Sequence, residues 1–292
     1  MQFSGAYSAL VTPFRNGVFD EEAYRALIEW QIEQGIDGLV AVGTTGESAT
    51  LSHPEHETVI KVCIDQAKGR VPVVAGTGGN DTREAIELTR FAKEAGADAT
   101  LQVTPYYNKP TQEGLIAHYA AIAAAAPLPM IAYNVPGRTS LNLLPKTLVR
   151  MIQRIPELVA VKEATGDMKQ VSEIIELCGD RLQVMSGDDF TVLPLMALGG
   201  VGVISVVSNI VPAKMAQLCR ACRNGDYKTA RALHYEVNPL NRAMFIETNP
   251  VPVKTALAMM GKLAMGVRLP LVSLQPDNEA ELKKVLIQAG LV

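Results

Sequence analysis

The segment LVAVKEATGD, residues 158–167, is a short apolar run that ends in a lysine and continues into a polar loop. An apolar run of this length, bounded by turn residues, is typical of a strand that is buried on both faces. Lys162 would then lie at the C-terminal end of that strand, among apolar neighbours that favour the neutral amine, which is a nucleophile towards carbonyl carbon. A single lysine at such a position more often extends to solvent, so the other strand ends must decide between the two interpretations.

Seven further apolar segments of similar length precede or follow this one. They are residues 6–11, 37–42, 71–75, 99–103, 129–133, 182–186 and 201–206. Each is followed by a stretch with apolar residues three or four positions apart, which predicts a helix. Eight strand-helix units predict an α/β protein with a TIM (β/α)8 barrel as a catalytic domain over residues 1–225. The strand pattern stops there, and helical patterns over 226–247, 251–261 and 277–289 predict a C-terminal helical domain over residues 226–292.

A doubly wound sheet is the main alternative fold. Such a sheet usually has fewer strands and carries a dinucleotide or phosphate loop where its strand order reverses. The glycine-rich segment GTGGN, residues 76–80, has neither the GxGxxG spacing nor the Lys-Ser/Thr pair of a phosphate loop. We therefore expect its glycines to shape a strand-to-helix turn.

Composition limits the classes of function. The 292 residues are 48% hydrophobic and 20% charged, which is typical of a globular protein, and the net charge of -3 argues against a nucleic-acid surface. No apolar run is long enough to span a membrane, and the N-terminal segment lacks the basic region of a signal peptide. Four cysteines, at 63, 178, 219 and 222, form neither a disulfide framework nor a recognisable zinc motif. We predict a cytoplasmic protein without nucleic-acid or membrane partners.

Polar residues follow the predicted strands at their C-terminal ends, where barrels of this kind build their active sites. The segments are GTTGES at 43–48, TPYYN at 104–108, YNVPGRT at 133–139, Lys162 itself, SGDD at 186–189 and IS at 204–205. An amine, phenols, hydroxyls and a guanidinium on one rim suit imine chemistry on an α-keto acid. Each residue alone has a structural explanation, such as packing or turn formation. Their joint placement favours a catalytic site.

The order and content of these motifs resemble the dihydrodipicolinate synthase (4-hydroxy-tetrahydrodipicolinate synthase) family over residues 3 to about 270. The motifs are GTTGES at 43–48, TPYYNKP at 104–110, YNVPGRT at 133–139, VKEATG at 161–166, SGDD at 186–189 and GVISV at 202–206. The resemblance implies a TIM barrel with a C-terminal helical domain, assembled as a homotetramer that is a dimer of dimers. It also implies a lyase that condenses pyruvate with L-aspartate 4-semialdehyde through a lysine Schiff base, in lysine (diaminopimelate) biosynthesis, without a cofactor or a metal.

The same resemblance implies roles for eight residues. Lys162 matches the lysine that forms the imine, and Tyr133 matches the tyrosine of a proton relay that runs through Thr44 to Tyr107 of a neighbouring subunit. Substrate binding falls on four further residues. Thr45 would hold the pyruvate carboxylate, Arg138 would hold the carboxylate of the semialdehyde, and Gly187 and Ile204 would line the pocket. The segment NPVPVKTA, residues 249–256, is expected to lie outside that pocket.

A second set of residues matches the positions at which feedback-sensitive members of the family bind L-lysine. The set consists of Ser48, Ala49, His53, His56, Asn80, Glu84 and Tyr106. Glu84 can pair with an ammonium, while Asn80 and the Tyr106 hydroxyl can bind a carboxylate. We therefore expect free L-lysine to inhibit the enzyme. The alternative is that the two histidines and Glu84 are ordinary polar residues at helix N-termini.

Three other functions remain open on the sequence. The first is another pyruvate-dependent aldolase, such as N-acetylneuraminate lyase or a keto-deoxy-sugar-acid aldolase, although Arg138 and the Tyr106-Tyr107 pair favour the synthase. The second is a non-catalytic small-molecule binding protein. The third is a metal site at His53 and His56, whose spacing of one helical turn permits it but which lack an evident third ligand.

Overall fold

The computed structural model describes residues 3–292 and contains a closed barrel of eight parallel strands. The strands of the barrel are β1 (Gly5–Ala9), β4 (Gly38–Ala41), β5 (Val73–Gly76), β6 (Ala99–Val103), β7 (Met130–Asn134), β8 (Leu158–Glu163), β9 (Gln183–Ser186) and β10 (Gly202–Ser205). Each strand pairs with its neighbours along the chain, and β1 closes the ring by pairing with both β4 and β10. All eight predicted strands are confirmed within two or three residues.

Helices follow every strand of the barrel, as the spacing of apolar residues predicts. They are α1 (Glu21–Glu33), α2 (His53–Ala67), α3 (Thr82–Ala95), α4 (Gln112–Ala125), α5 (Pro136–Thr139), α6 (Pro145–Arg154), α7 (Met168–Cys178), α8 (Val192–Ala197) and α9 (Pro212–Arg223). Ser52 and Glu55 form the two reciprocal hydrogen bonds of a capping box at the start of α2. The fold is a TIM barrel, so the predicted fold class is confirmed.

Three helices follow the barrel: α10 (Tyr227–Ala243), α11 (Val251–Met259) and α12 (Pro276–Gln288). They begin within one residue of the predicted starts, and they end one to four residues before the predicted ends. Helix α10 packs against α9, and α11 packs against α12. No helix among residues 3–292 is both long and apolar enough to cross a membrane.

A small antiparallel hairpin, β2 (Phe14–Arg15) with β3 (Val18–Phe19), was not predicted. Two residues per strand are too few for a hydrophobic pattern to show. The signal was in the turn, because Asn16 and Gly17 both adopt positive φ, at 53° and 78°. An Asn-Gly pair is the typical two-residue connection of such a hairpin.

Alternate residues along each barrel strand face the interior or the helices. On β8, Ala160 belongs to the cluster that fills the barrel, whereas Val161 packs into the core between strands and helices. Lys162 therefore lies on the interior side, two residues beyond Ala160. Gly76 and Gly78 allow close contact between neighbouring strand ends, since a Cβ at Gly76 would lie 2.2 Å from the carbonyl oxygen of Val42. The expectation that this segment forms a turn rather than a phosphate loop agrees with that geometry.

Candidate active site

A cavity of about 280 Å³ opens at the C-terminal ends of the barrel strands. Its lining residues are Thr44, Thr45, Tyr133, Val135, Arg138, Lys162, Ala164, Gly187, Asp188, Phe190, Val206, Phe245 and Asn249. The cavity thus brings together five strand ends and two residues from the chain beyond the barrel. Protein pockets for drug-sized ligands start near 300 Å³. A cavity of this volume therefore has room for two carboxylic acids that are each much smaller than such a ligand.

Lys162 is the amine of this cavity. Its side chain is buried, and Tyr133 is its partner across the β7-β8 pair. The Nζ atom lies 4.2 Å from the centroid of the Tyr133 ring. Among residues 3–292, Lys162 takes part in no ion pair. The structure therefore presents a buried amine that has no carboxylate partner and that faces an open cavity.

Gly187 makes room for the lysine side chain. A Cβ at this position would lie 3.0 Å from Cε of Lys162 and 2.6 Å from Cβ of Ala164. Any larger residue would push the amine away from its place. Glycine is thus favoured here by the close approach of Ala164 and, to a smaller extent, of the Lys162 side chain.

Glu163, the residue after the lysine, points away from the cavity. Its carboxylate accepts hydrogen bonds from Asn134 Nδ2 at 2.9 Å, from Gln170 Nε2 at 3.1 Å and from the backbone N-H of Thr165 at 2.8 Å. This network fixes the end of β8 and directs a buried negative charge outward. The carboxylate next to Lys162 in the chain is therefore bonded to other groups and forms no ion pair with the amine.

Thr45 and Arg138 converge on one residue that the sequence did not single out. The Asn249 amide donates from Nδ2 to Thr45 Oγ1 at 3.1 Å, and its backbone carbonyl accepts from Arg138 Nη2 at 3.3 Å. The expectation that segment 249–256 lies outside the pocket was wrong for Asn249, which lines the cavity. The chain returns to the barrel mouth between α10 and α11, and only the three-dimensional path of the chain reveals that return.

Two of the residues implied by resemblance lie away from the cavity surface. Ile204 is buried in the cluster that fills the barrel, and Val206 lines the cavity from the same strand end. Tyr107 is 92% exposed, has a φ of 73° and lies along an open groove instead of the cavity around Lys162. Positive φ is uncommon for an aromatic residue. Within one chain, then, Tyr107 does not reach the lysine.

Comparison with known proteins shows the family to which this chain belongs. The model of the dihydrodipicolinate synthetase family matches residues 2–289. The chain belongs to this family. It is 66% identical, over the full length of both chains, to the 4-hydroxy-tetrahydrodipicolinate synthase of Nitratidesulfovibrio vulgaris (strain DSM 19637 / Miyazaki F). It is 57% identical to the enzyme of the same name from Thermodesulfovibrio yellowstonii, with 99% of each chain covered.

Solved structures of the family agree. The dihydrodipicolinate synthase of Acinetobacter baumannii, described as chloride inhibited and complexed with pyruvate, has a TM-score of 0.98 at 48% identity, with 100% of each chain covered. The enzyme from Cyanidioschyzon merolae with lysine bound has a TM-score of 0.96 at 40% identity, with 99% of each chain covered. The chain is therefore an enzyme, a lyase of the 4-hydroxy-tetrahydrodipicolinate synthase type.

A second cavity, of about 310 Å³, adjoins the cavity around Lys162. Ser48, Ala49 and Tyr106 line it, and it shares Thr44 and Arg138 with the cavity around Lys162. Burial raises the pKa of the Tyr106 phenol, with a smaller contribution from the Glu84 carboxylate. Three of the seven residues in the set matched to L-lysine binding thus lie beside the cavity around Lys162.

The other four residues of that set form neighbouring polar contacts. His53 Nε2 lies 2.7 Å from Glu84 Oε1, and this hydrogen bond raises the pKa of His53. Asn80 Nδ2 donates to the backbone carbonyl of Tyr106 at 3.1 Å. His56 is buried, which lowers its pKa, and its Nε2 lies 2.7 Å from the carbonyl oxygen of Gly76. His56 therefore supports β5 and lines neither of the two cavities.

The two histidines do not form a metal site with other residues. Within residues 3–292, no group of three or more His, Cys, Asp or Glu side chains is placed to hold a metal ion. Nε2 of each histidine is also engaged by another group. The metal interpretation of HPEHE, residues 53–57, has no support in this geometry.

Proposed function

We propose that this enzyme condenses pyruvate with L-aspartate 4-semialdehyde through an imine on Lys162, in lysine (diaminopimelate) biosynthesis. The observation that carries the proposal is the buried amine of Lys162, which has no carboxylate partner among the described residues and faces a cavity beside the Tyr133 ring. The similarity to a synthase structure described as a pyruvate complex supports the choice of the first substrate.

The reaction begins at the amine. Lys162 attacks the ketone carbon of pyruvate, and the resulting carbinolamine loses water to give a protonated imine. The cationic nitrogen withdraws electrons, so a proton of the pyruvate methyl group can leave and an enamine forms. Tyr133 is the group that moves protons at this centre. In the relay implied by the family, Thr44 connects it to Tyr107 of a second subunit, and the exposure of Tyr107 supports that arrangement.

The second substrate completes the sequence. The enamine carbon attacks the aldehyde carbon of the semialdehyde and forms the new carbon-carbon bond. The amine of the semialdehyde then attacks the imine carbon and displaces Lys162, which closes the ring and returns the free enzyme. Thr45 and Arg138 supply donors for the two carboxylates, and a guanidinium offers the two parallel hydrogen bonds that suit a carboxylate.

A turnover assay distinguishes this activity from that of another pyruvate-dependent aldolase. The enzyme should consume pyruvate with aspartate semialdehyde and should not cleave N-acetylneuraminate. Arg138→Ala is the matched variant: it should raise KM for the semialdehyde by about tenfold or more and leave imine formation with pyruvate nearly intact. Cleavage of N-acetylneuraminate without condensation would overturn the proposal.

We also propose that free L-lysine inhibits the enzyme at the set of residues that includes Ser48, Glu84 and Tyr106. The second cavity shares Thr44 and Arg138 with the catalytic one, so a ligand there would contact residues of both. The similarity to a family structure with lysine bound supports the choice of ligand. Turnover should fall as L-lysine is added at saturating pyruvate, and Glu84→Ala should weaken this inhibition. Undiminished turnover at millimolar L-lysine would contradict the proposal.

Assembly and location remain predictions from the sequence. A homotetramer is expected from the family resemblance, and light scattering coupled to gel filtration would measure it. A cytoplasmic location is expected from the composition.

A further inference from the structure

Asn249 joins the two residues that the proposed function assigns to the two substrate carboxylates. Its side-chain Nδ2 donates to Thr45 Oγ1, and its backbone carbonyl accepts from Arg138 Nη2. The residue is buried and lines both the catalytic cavity and its neighbour. One residue from beyond the barrel thus contacts both carboxylate-binding groups, through separate atoms.

The Asn249 amide is a poor choice for stability alone. Its Oδ1 atom is buried and has no hydrogen-bond partner among residues 3–292. A buried acceptor without a partner destabilises a fold, and an apolar side chain of similar size would remove that cost. Residues that destabilise the native state in this way are typical of functional sites. The amide is therefore better explained by what Nδ2 does for Thr45.

The surrounding chain holds Asn249 and Thr45 in one unit. Five residues after Asn249, the fully buried amine of Lys254 forms an ion pair with Glu47, two residues after Thr45. Glu47 Oε2 also accepts from the backbone N-H of Arg268 at 3.1 Å. The start of α11 and the turn that carries Thr45 are therefore fixed relative to each other. Hence the contact between Asn249 and Thr45 is set by buried neighbours on both sides.

We propose that Asn249 is a positioning residue that orients the Thr45 hydroxyl towards the pyruvate carboxylate. A hydroxyl has one proton to donate and two lone pairs. Because Nδ2 of Asn249 donates to Thr45 Oγ1, the hydroxyl proton is left free to be donated to a carboxylate oxygen in the cavity. Asn249 acts here only through Thr45, and the inference rests on the proposed role of Thr45 in holding pyruvate.

A double-mutant cycle tests the coupling. Asn249→Leu should raise KM for pyruvate about tenfold, the size of one lost hydrogen bond, and leave KM for the semialdehyde unchanged because the backbone carbonyl still holds Arg138. In a Thr45→Val background, which already lacks the hydroxyl, Asn249→Leu should have no further effect on KM for pyruvate. The melting temperature of Asn249→Leu should equal or exceed that of the parent enzyme.

A second variant keeps the shape of the side chain. Asn249→Asp can only accept from the Thr45 hydroxyl, which turns the proton away from the cavity, so KM for pyruvate should rise more than in Asn249→Leu. Equal effects of Asn249→Leu in both backgrounds, or a lowered melting temperature with both KM values raised, would overturn the inference. If Thr45→Val leaves KM for pyruvate unchanged, the proposed role of Thr45 fails. If Thr45→Val raises it and the Asn249 variants do not, the inference alone fails.

Discussion

Two buried lysines occupy different regions of this enzyme, Lys162 at the barrel mouth and Lys254 in α11. Both place the amine beside an aromatic ring, with Nζ 4.2 Å from the centroid of Tyr133 and 4.3 Å from that of Phe14. Lys254 forms an ion pair with Glu47 and donates to the carbonyl oxygen of Thr12 at 2.8 Å. Lys162 has no ion-pair partner among residues 3–292 and lines a cavity.

The difference shows that burial against an aromatic ring does not by itself make a lysine reactive. Burial lowers the pKa of Lys254, and the Glu47 carboxylate counteracts this by stabilising the ammonium. Because the amine of Lys254 is bonded to this same carboxylate, it is not available to bind a ligand. The acidic residue next to Lys162 in the chain, Glu163, is turned outward and bonded to other donors. In the proposed mechanism, an ion-pair partner for Lys254 and the lack of one for Lys162 among the described residues separate a structural lysine from a reactive one.

The largest expected effect is on turnover in Lys162→Ala. Without the amine no imine can form, so turnover should fall by at least about 10³-fold. The fold should persist, because the substitution removes a buried amine that has no ionic partner among the described residues. Steady-state kinetics and a thermal melt measure the two properties. A variant that retains more than about a hundredth of the activity would show that the chemistry does not depend on this lysine.

At the second lysine the effect should be on stability. Lys254→Met leaves the buried Glu47 carboxylate without its ammonium, so the free energy of unfolding should fall by about 3–5 kcal/mol. The double variant Lys254→Met/Glu47→Leu should recover most of this loss, because the two charges are removed together. Urea denaturation measures both values. An equal loss in the double variant would mean that Lys254 acts through packing and not through the ion pair.

Substitution of the aromatic ring beside each lysine should likewise affect activity at Tyr133 and stability at Phe14. Tyr133→Phe keeps the ring beside Lys162 and removes only the hydroxyl, so imine formation should slow by roughly 10²-fold. Phe14→Leu, the matched change beside Lys254, should alter stability without slowing imine formation. Rapid mixing with pyruvate followed by reduction gives both rates. Similar rates in Tyr133→Phe and the parent enzyme would remove Tyr133 from the proton relay.

The smallest effect concerns a third amine, the ammonium of free L-lysine. Below the raised pKa of His53, its imidazolium is paired with Glu84, and above that pKa the neutral imidazole releases the carboxylate for a ligand. Inhibition by L-lysine should therefore strengthen a few-fold as the pH rises from 6 to 8, because the raised pKa of His53 lies above its ordinary value of about 6.5. His53→Gln should flatten this dependence. An unchanged pH profile in that variant would show that His53 does not compete for Glu84.

The barrel could be predicted because its signals are local. Each buried strand and its following helix carry their own pattern, and eight repeats of that pattern leave few alternatives. The hairpin at residues 14–19 was not predicted, because its strands have only two residues each. The division at residue 225 remains a prediction, and the buried pair of Lys254 with Glu47 shows how closely the C-terminal helices are tied to the barrel.

The cavity could be predicted in part for a related reason. The C-terminal ends of parallel strands meet at one rim, so Thr44, Tyr133 and Lys162 were expected to lie together, and they do. Asn249 could not be found this way, since its contact with Thr45 joins residues 204 positions apart. The only signal in the sequence was a polar residue before a proline in an otherwise apolar segment. Contacts between the two ends of a long chain have no local signature.

Reduction of the pyruvate imine tests the central claim most directly. The enzyme is incubated with pyruvate and borohydride, digested and mapped by mass spectrometry, since only an imine is reduced to a stable amine under these conditions. The adduct should lie on Lys162, and the peptide that contains Lys254, the other buried lysine, should be unmodified. An adduct on Lys254 or on any other lysine, or no adduct at all, would contradict the assignment of Lys162 as the reactive amine.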